Sequence, residues 1–418
     1  MKYLNKFFSL EIMIFVIILI ISIYSYLHIF TNSLHSSYSY SELFINYQAG
    51  FIRRGLLGEI FWQINKYFFI DPKIFFGFIY YILYLLQIYF LYYICKFYQT
   101  SKFFLIFVIF APQLILFPIY DHKIFFLKDI FIKFTIFFHG YLILKYDKIK
   151  YLKLFKFLVL PCLAISILIH EYQILFLSVH ILISISYLKT ILEIKKILKY
   201  YFILIIPILL IFLFLGNQDQ YNQLNEILSI FNVELHAQLA GGFKSHLGGF
   251  YKWHFYYFSY RDFINLFFSI LLSILIPIII FENFIRIKIY SLKNFLKNRY
   301  LYFFLPTFIS FLALDHGRNI SLIASHFFIF YMTLQFNKNT FIEFQRKINE
   351  NMNYFFLIIL FLFFYTFLWK LDQFAGFGLQ GKYSTIFKSS FFAEIIKLIK
   401  FLYAYIDQYI FNLPSVKL

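Results

Sequence analysis

Long apolar runs broken by short basic segments dominate the chain. They recur near 10–30, 74–95, 103–120, 124–144, 155–171, 172–188, 199–216, 263–283, 300–314, 319–336 and 353–369. A helix needs about 20 such residues to cross a bilayer. The pattern therefore predicts an all-α, polytopic bundle of about eleven transmembrane helices. Residues 391–411 carry Glu394, Lys397, Lys400 and Asp407, which favour an interfacial helix over a twelfth span. The first run follows Lys2 and Lys6 and is longer than a cleaved signal, whose core is roughly 7–15 residues. Thr31-Asn-Ser-Leu-His is a poor cleavage site. The run reads as an uncleaved helix with a cytoplasmic N-terminus.

The pattern divides the chain into three parts. Residues 1–216 form an N-terminal transmembrane module with an outer loop at 31–73. Residues 217–262 form a second long outer loop, rich in Gly and His, and 263–418 hold the C-terminal helices and tail. In the first loop Leu43, Phe44, Tyr47, Phe51, Leu56, Leu57, Ile60, Phe61 and Ile64 recur at helical spacing. Short amphipathic helices on the membrane surface are expected there. The second loop repeats Gly241-Gly-Phe as Gly248-Gly-Phe, with His236, His246 and His254 around it. No zinc-binding spacing is present.

Composition strengthens the membrane reading. Charged residues make up 14% of the 418, against about 25% in soluble domains. A net charge of +18 in a soluble protein would suggest nucleic acid. Here the cations fall mainly in short loops, so topology explains them and no nucleic-acid partner is expected. With the N-terminus inside, inner segments hold roughly twice the Lys and Arg of outer ones, as the positive-inside rule requires. Cys95 and Cys162 form no CxxC and reveal no redox compartment. Phosphate-binding, nucleophile-elbow, HExxH and dinucleotide motifs are absent from the sequence.

This orientation puts the polar chemistry on one side. Arg53-Arg54, Asp121-His122-Lys123, His170-Glu171 and Asp315-His316-Gly317-Arg318 all fall at outer helix ends. Arginine offers a planar fork for phosphate, and this chain is otherwise rich in lysine. Gly50, Gly55 and Gly58 would let backbone approach a ligand. The plainer reading is that Arg53 and Arg54 anchor surface helices at the interface. His170-Glu171 suits a general acid/base pair, while Glu171 equally suits an arginine partner such as Arg318. Asp315 and Arg318 suit an ion pair across a tight turn.

The fourth helix is expected to carry Asp121, His122, Lys128, Asp129 and Lys133. Each charge at membrane depth costs at least ~2.5–3.5 kcal/mol unless paired or hydrated. This helix should therefore face a wet cavity. Local pairing of Asp129 with Lys133 or Lys128 is the alternative. His139, His180 and His326 read as core histidines.

A cytoplasmic N-terminus, a long first outer loop, and acids, His and Arg at outer helix ends resemble the polytopic GT-C-type glycosyltransferases. The resemblance is one of layout and covers residues 1–216. It implies an enzyme of the bacterial inner membrane that uses a polyprenyl-(pyro)phosphate-linked sugar on the periplasmic face. Such enzymes carry a catalytic acid soon after the first helix, where this chain offers Glu42, Glu59 and, further on, Asp121. The resemblance implies phosphate binding by Arg53, Arg54 and Arg318. It implies catalysis by Asp121 or Glu171 with His122 or His170, supported by Lys128, Asp129 and Asp315. No cofactor is assigned, and a divalent metal is left open. The outer arginines are also similar to those of O-antigen polymerases and ligases. A transporter or flippase of an anionic lipid or solute would use the same cavity without chemistry.

Overall fold

The computed structural model describes residues 38–98, 126–188, 190–235, 260–277 and 316–334, with isolated positions at 16–20, 111–117, 360 and 365 and strands at 369–372 and 376–379. Most of the expected spans near 10–30, 103–120, 300–314 and 353–369, and the segment 391–411, lie outside them.

The described chain is helical, with one short antiparallel hairpin of Trp369–Asp372 and Gly376–Leu379. Among the described residues three helices are long and apolar enough to cross a membrane: Pro72–Ile94, Lys148–Ile169 and Ile191–Leu213. In chain order we label α1 (Leu56–Phe68), α2 (Pro72–Tyr98), α3 (Asp129–Lys145), α4 (Lys148–Ile169), α5 (Gln173–Tyr187), α6 (Ile191–Leu213), α7 (Gln218–Leu228), α8 (Tyr260–Ile270) and α9 (His316–Leu334).

Helix α3 is the axis of the bundle. Ile132, Ile136, Phe137, Leu142 and Ile143 bury it on all sides, as expected of a helix without a polar face. It packs against α2, α4, α5 and α9. Its expected start was near 124, but the helix begins at Asp129, with Lys128 at the N-cap. From the N-cap, Lys128 donates from Nζ to the Arg54 carbonyl at 2.7 Å. The carboxylate of Asp129 then lies in the first turn, where the helix dipole favours it.

Helices α4 and α6 turn apolar side chains outward, including Phe157, Ile165, Phe202, Ile206, Leu209 and Phe212. Exposed apolar surface of this extent suits lipid rather than water. Both helices begin earlier than the apolar runs predict. The basic turns Lys148–Leu154 and Ile191–Lys199 are already helical, since lysine is a good helix former that hydropathy does not detect.

The first loop is partly helical. Helix α1 forms as expected, with Leu57 and Phe61 buried, but residues 45–55 form an irregular loop. Gly50 at φ 100° and Arg54 at φ 66° interrupt the helix there. Gly58 serves close packing of the protein's own backbone: a Cβ there would stand 2.2 Å from the Ile45 carbonyl oxygen. Pro72 opens α2 at a position suited to it, after Asp71 caps the Lys73 amide at 2.7 Å.

Candidate functional site

The Arg-Arg loop is fixed from three directions. The Glu59 carboxylate accepts from the Tyr47 amide at 2.9 Å and from Gln48 Nε2 at 3.0 Å. The Arg53 amide donates to the Phe214 carbonyl at the end of α6, at 3.0 Å. Gln220, on α7, donates from Nε2 to the Ala49 carbonyl at 3.1 Å. Arg54 is held in the left-handed region, which for a non-glycine residue costs about 1–2 kcal/mol. Strain of this kind persists where surrounding contacts over-determine it and is concentrated at functional sites.

Arg54 lies at the centre of a buried charge cluster. Its Nη1 meets Glu42 Oε1 at 2.5 Å. Its Nε donates to Glu171 Oε2 at 2.6 Å, and Nη2 to Glu171 Oε1, forming a bidentate fork. Arg53 approaches the same Glu171 oxygen at 3.7 Å. Arg318 makes a second fork on Asp129, and its Nη2 also meets His170 Nε2. His170 stands between the two forks, with Nε2 3.5 Å from Asp129 Oδ1 and Nδ1 3.9 Å from Glu171 Oε2.

His170 and Glu171 occupy the turn between α4 and α5. There His170 Nδ1 accepts from the Tyr172 amide at 3.2 Å, which leaves it unprotonated at that atom. Burial and then the Arg318 and Arg54 charges push its pKa well below the ordinary imidazole value. Burial would raise the Glu171 carboxyl, but Arg54 outweighs it and holds the group well below the usual carboxylate range. Glu42, fully buried, shows the same balance, with Arg54 and then Lys128 lowering it against burial.

The second fork borders a cavity of about 20 Å3, lined by Tyr84, Phe117, Leu127, Asp129, Ile130, Lys133 and Arg318. That volume is enough for a water molecule. Lys133 donates to Ser321 Oγ at 2.6 Å and to the Leu114 carbonyl at 3.2 Å. Five largely buried cations (Arg53, Arg54, Lys128, Lys133 and Arg318) thus gather around three carboxylates (Glu42, Asp129 and Glu171).

The structure brings together seven of the residues singled out in the sequence: Arg53, Arg54, Lys128, Asp129, His170, Glu171 and Arg318. Asp121, His122 and Asp315 lie outside the described residues, as do the glycine pairs and histidines of the second outer loop. The partners differ from the simplest sequence pairings. Arg318 meets Asp129, and Glu171 meets Arg54, while Lys128 and Lys133 bond to carbonyl and hydroxyl oxygens. Glu42 is more central than its sequence position suggests; its signal was an acid in a chain with few. Among the described residues no group of three His, Cys, Asp or Glu is arranged to hold a metal ion.

Comparison with protein-family models, with curated proteins and with solved structures finds no match for this chain.

Proposed function

We propose that this chain is a multi-pass membrane glycosyltransferase that takes its sugar from a polyprenyl-(pyro)phosphate carrier. It would sit in the bacterial inner membrane with about eleven spans, the N-terminus cytoplasmic and the site facing the periplasm. The observation that supports this is the pair of buried arginine forks, Arg54 on Glu171 and Arg318 on Asp129, brought together by His170. A guanidinium fork suits two phosphate oxygens as it suits a carboxylate.

In this reading Glu171 and Asp129 hold the places that phosphate oxygens take when the carrier binds. Glu171 is the more exposed of the two and can turn away from Arg54. Freed from the fork, its carboxylate accepts the proton of an acceptor hydroxyl. The hydroxyl oxygen bonds to the anomeric carbon, and the sugar–phosphate bond breaks. The carrier phosphate leaves with the electron pair, stabilised by Arg53, Arg54 and Arg318. His170, neutral with its proton on Nε2, faces Asp129 and helps to hold that carboxylate against Arg318.

The test uses Arg54→Lys, which keeps the charge and removes the fork on Glu171. The variant should insert normally and lose the surface glycan seen by carbohydrate profiling, matching a deletion strain. Full glycan with Arg54→Lys would contradict the proposal.

One observation favours a second reading, a transporter or flippase of an anionic lipid or solute. The Arg54–Glu171 and Arg318–Asp129 pairs each join separate elements and would serve as a gate. Counterflow in vesicles without covalent change to the solute would identify it.

A further inference from the structure

A buried polar seam runs along α3 and α5, away from the charge cluster. Tyr201 Oη stands 3.1 Å from Ser184 Oγ, and Ser184 Oγ 2.9 Å from Tyr151 Oη. Tyr151 Oη stands 2.7 Å from His139 Nε2, and His139 Nδ1 2.9 Å from His180 Nδ1. Five residues on four helices form one unbroken hydrogen-bonded chain, and all five are buried. Tyr151 lies in the basic first turns of α4 and Tyr201 follows Lys199 on α6, while His180 lies two turns beyond Gln173 into the bundle.

Beyond His180 the seam continues with unsatisfied atoms. His180 Nε2, His326 Nε2 and Gln173 Nε2 are buried without a hydrogen-bond partner. His326 donates from Nδ1 to the Leu322 carbonyl at 2.8 Å, so its Nε2 is a bare acceptor when the ring is neutral. The His180 and His326 rings stand edge to face at 5.8 Å. Lys133, beside Asp129, is the charged group facing His326, while Tyr187 and Tyr201 face Tyr151. Buried polar groups are normally paired, and orphans mark where water or a ligand stands.

The chain also lacks a fixed polarity. Ser184 has one hydroxyl proton and four oxygen or nitrogen neighbours: Tyr151, Tyr201, His139 Nε2 at 3.4 Å and the His180 carbonyl at 2.9 Å. The two facing Nδ1 atoms of His139 and His180 need one donor and one acceptor, and either ring serves as either. Such a chain can be reversed by shifting each proton one place.

We propose that this seam conducts protons between the basic helix ends and the Asp129–Lys133 cavity, with water completing it at His180 and His326. A proton arriving on Tyr201 oxygen displaces that hydroxyl's proton to Ser184. The shift passes through Tyr151 and His139 to His180 Nδ1, and His180 releases its Nε2 proton to the bridging water. Each group gains and loses one proton, so charge and atoms balance. Histidine and hydroxyl chains within membrane-spanning helices are characteristic of proton relays. The inference does not rest on the transferase reading.

The test is proton flux into vesicles containing the purified full chain and a trapped pH-sensitive dye. The flux is driven by a potassium gradient with an ionophore, with no sugar or carrier present. The wild type should conduct faster than protein-free vesicles. His180→Leu and Tyr201→Phe should reduce flux to the protein-free level. Ser178→Ala, on the same helix but outside the seam, should retain it. Each variant is included only if it elutes as the wild type does in detergent, and Ser184→Ala replaces any that does not. Wild-type flux no faster than protein-free vesicles would overturn the proposal, as would seam variants that conduct like the wild type.

Discussion

Arg54 combines a left-handed backbone, two carboxylate partners and a carbonyl that anchors Lys128. Removing it strands Glu42 and Glu171 in a buried place. Arg54→Ala should therefore cost about 3–5 kcal/mol, the usual cost of breaking a buried pair from one side. Denaturant unfolding in detergent measures this, and Arg54→Ala with Glu171→Gln should recover part of the loss. An unchanged midpoint in the single variant would mean that the fork is not holding the loop. The pKa shifts add a pH dependence. The folded imidazole of His170 lies well below its ordinary value, so the unfolded chain binds a proton that the folded one refuses as pH falls below about 6.5. Stability from this group is present above that pH and lost below it. Glu42 and Glu171, also lowered, lose theirs further down, beneath the usual carboxylate range. His170→Gln should thus lose less thermal stability than the wild type between about pH 7 and pH 5. Parallel curves for the two proteins would contradict the assignment.

Among the elements, α1 depends on a glycine. Gly58 faces the Ile45 carbonyl so closely that a methyl group requires the loop to move. Gly58→Ala should destabilise the chain by about 1–3 kcal/mol, as overpacking does. It should also shift Arg53 and Arg54, which the same loop carries; proteolysis of the outer loop would report it. Wild-type protection would show that the loop yields at no cost. The helices themselves were legible in the sequence. The runs near 74–95 and 172–188 correspond to α2 and α5 within a few residues, because burial in lipid leaves a plain apolar signal. Their ends were less legible, since lysine-rich turns extend α4 and α6 without raising hydropathy. The start of α3 at Asp129 falls after the expected position near 124, and the Lys128 contact to Arg54 beside it is one that no local pattern encodes. The same limit applies to the site. Arg53, Arg54, His170, Glu171 and Arg318 stood out as charges at apolar helix ends. Which acid meets which arginine depends on how helices far apart in sequence pack, as with Asp129 and Arg318.

For the whole molecule, the proposed topology puts Arg53 and Arg54 on the opposite side of the membrane from Lys148–Lys156. In a cysteine-free background, Tyr67→Cys should react with an impermeant maleimide in intact cells, and Ile149→Cys only after permeabilisation. Both side chains are exposed, at 78% and 83%, so burial does not mask either site. The reverse pattern would invert the topology and with it the proposed outer site. The central claim, that the arginine cluster recognises a carrier phosphate, is tested most directly by binding. Purified protein in nanodiscs is titrated with polyprenyl phosphate and with the uncharged polyprenol of the same length. The account predicts that the phosphate binds much more tightly than the alcohol and that Arg54→Lys removes most of that difference. Equal binding of phosphate and alcohol, or a difference untouched by Arg54→Lys, would contradict it.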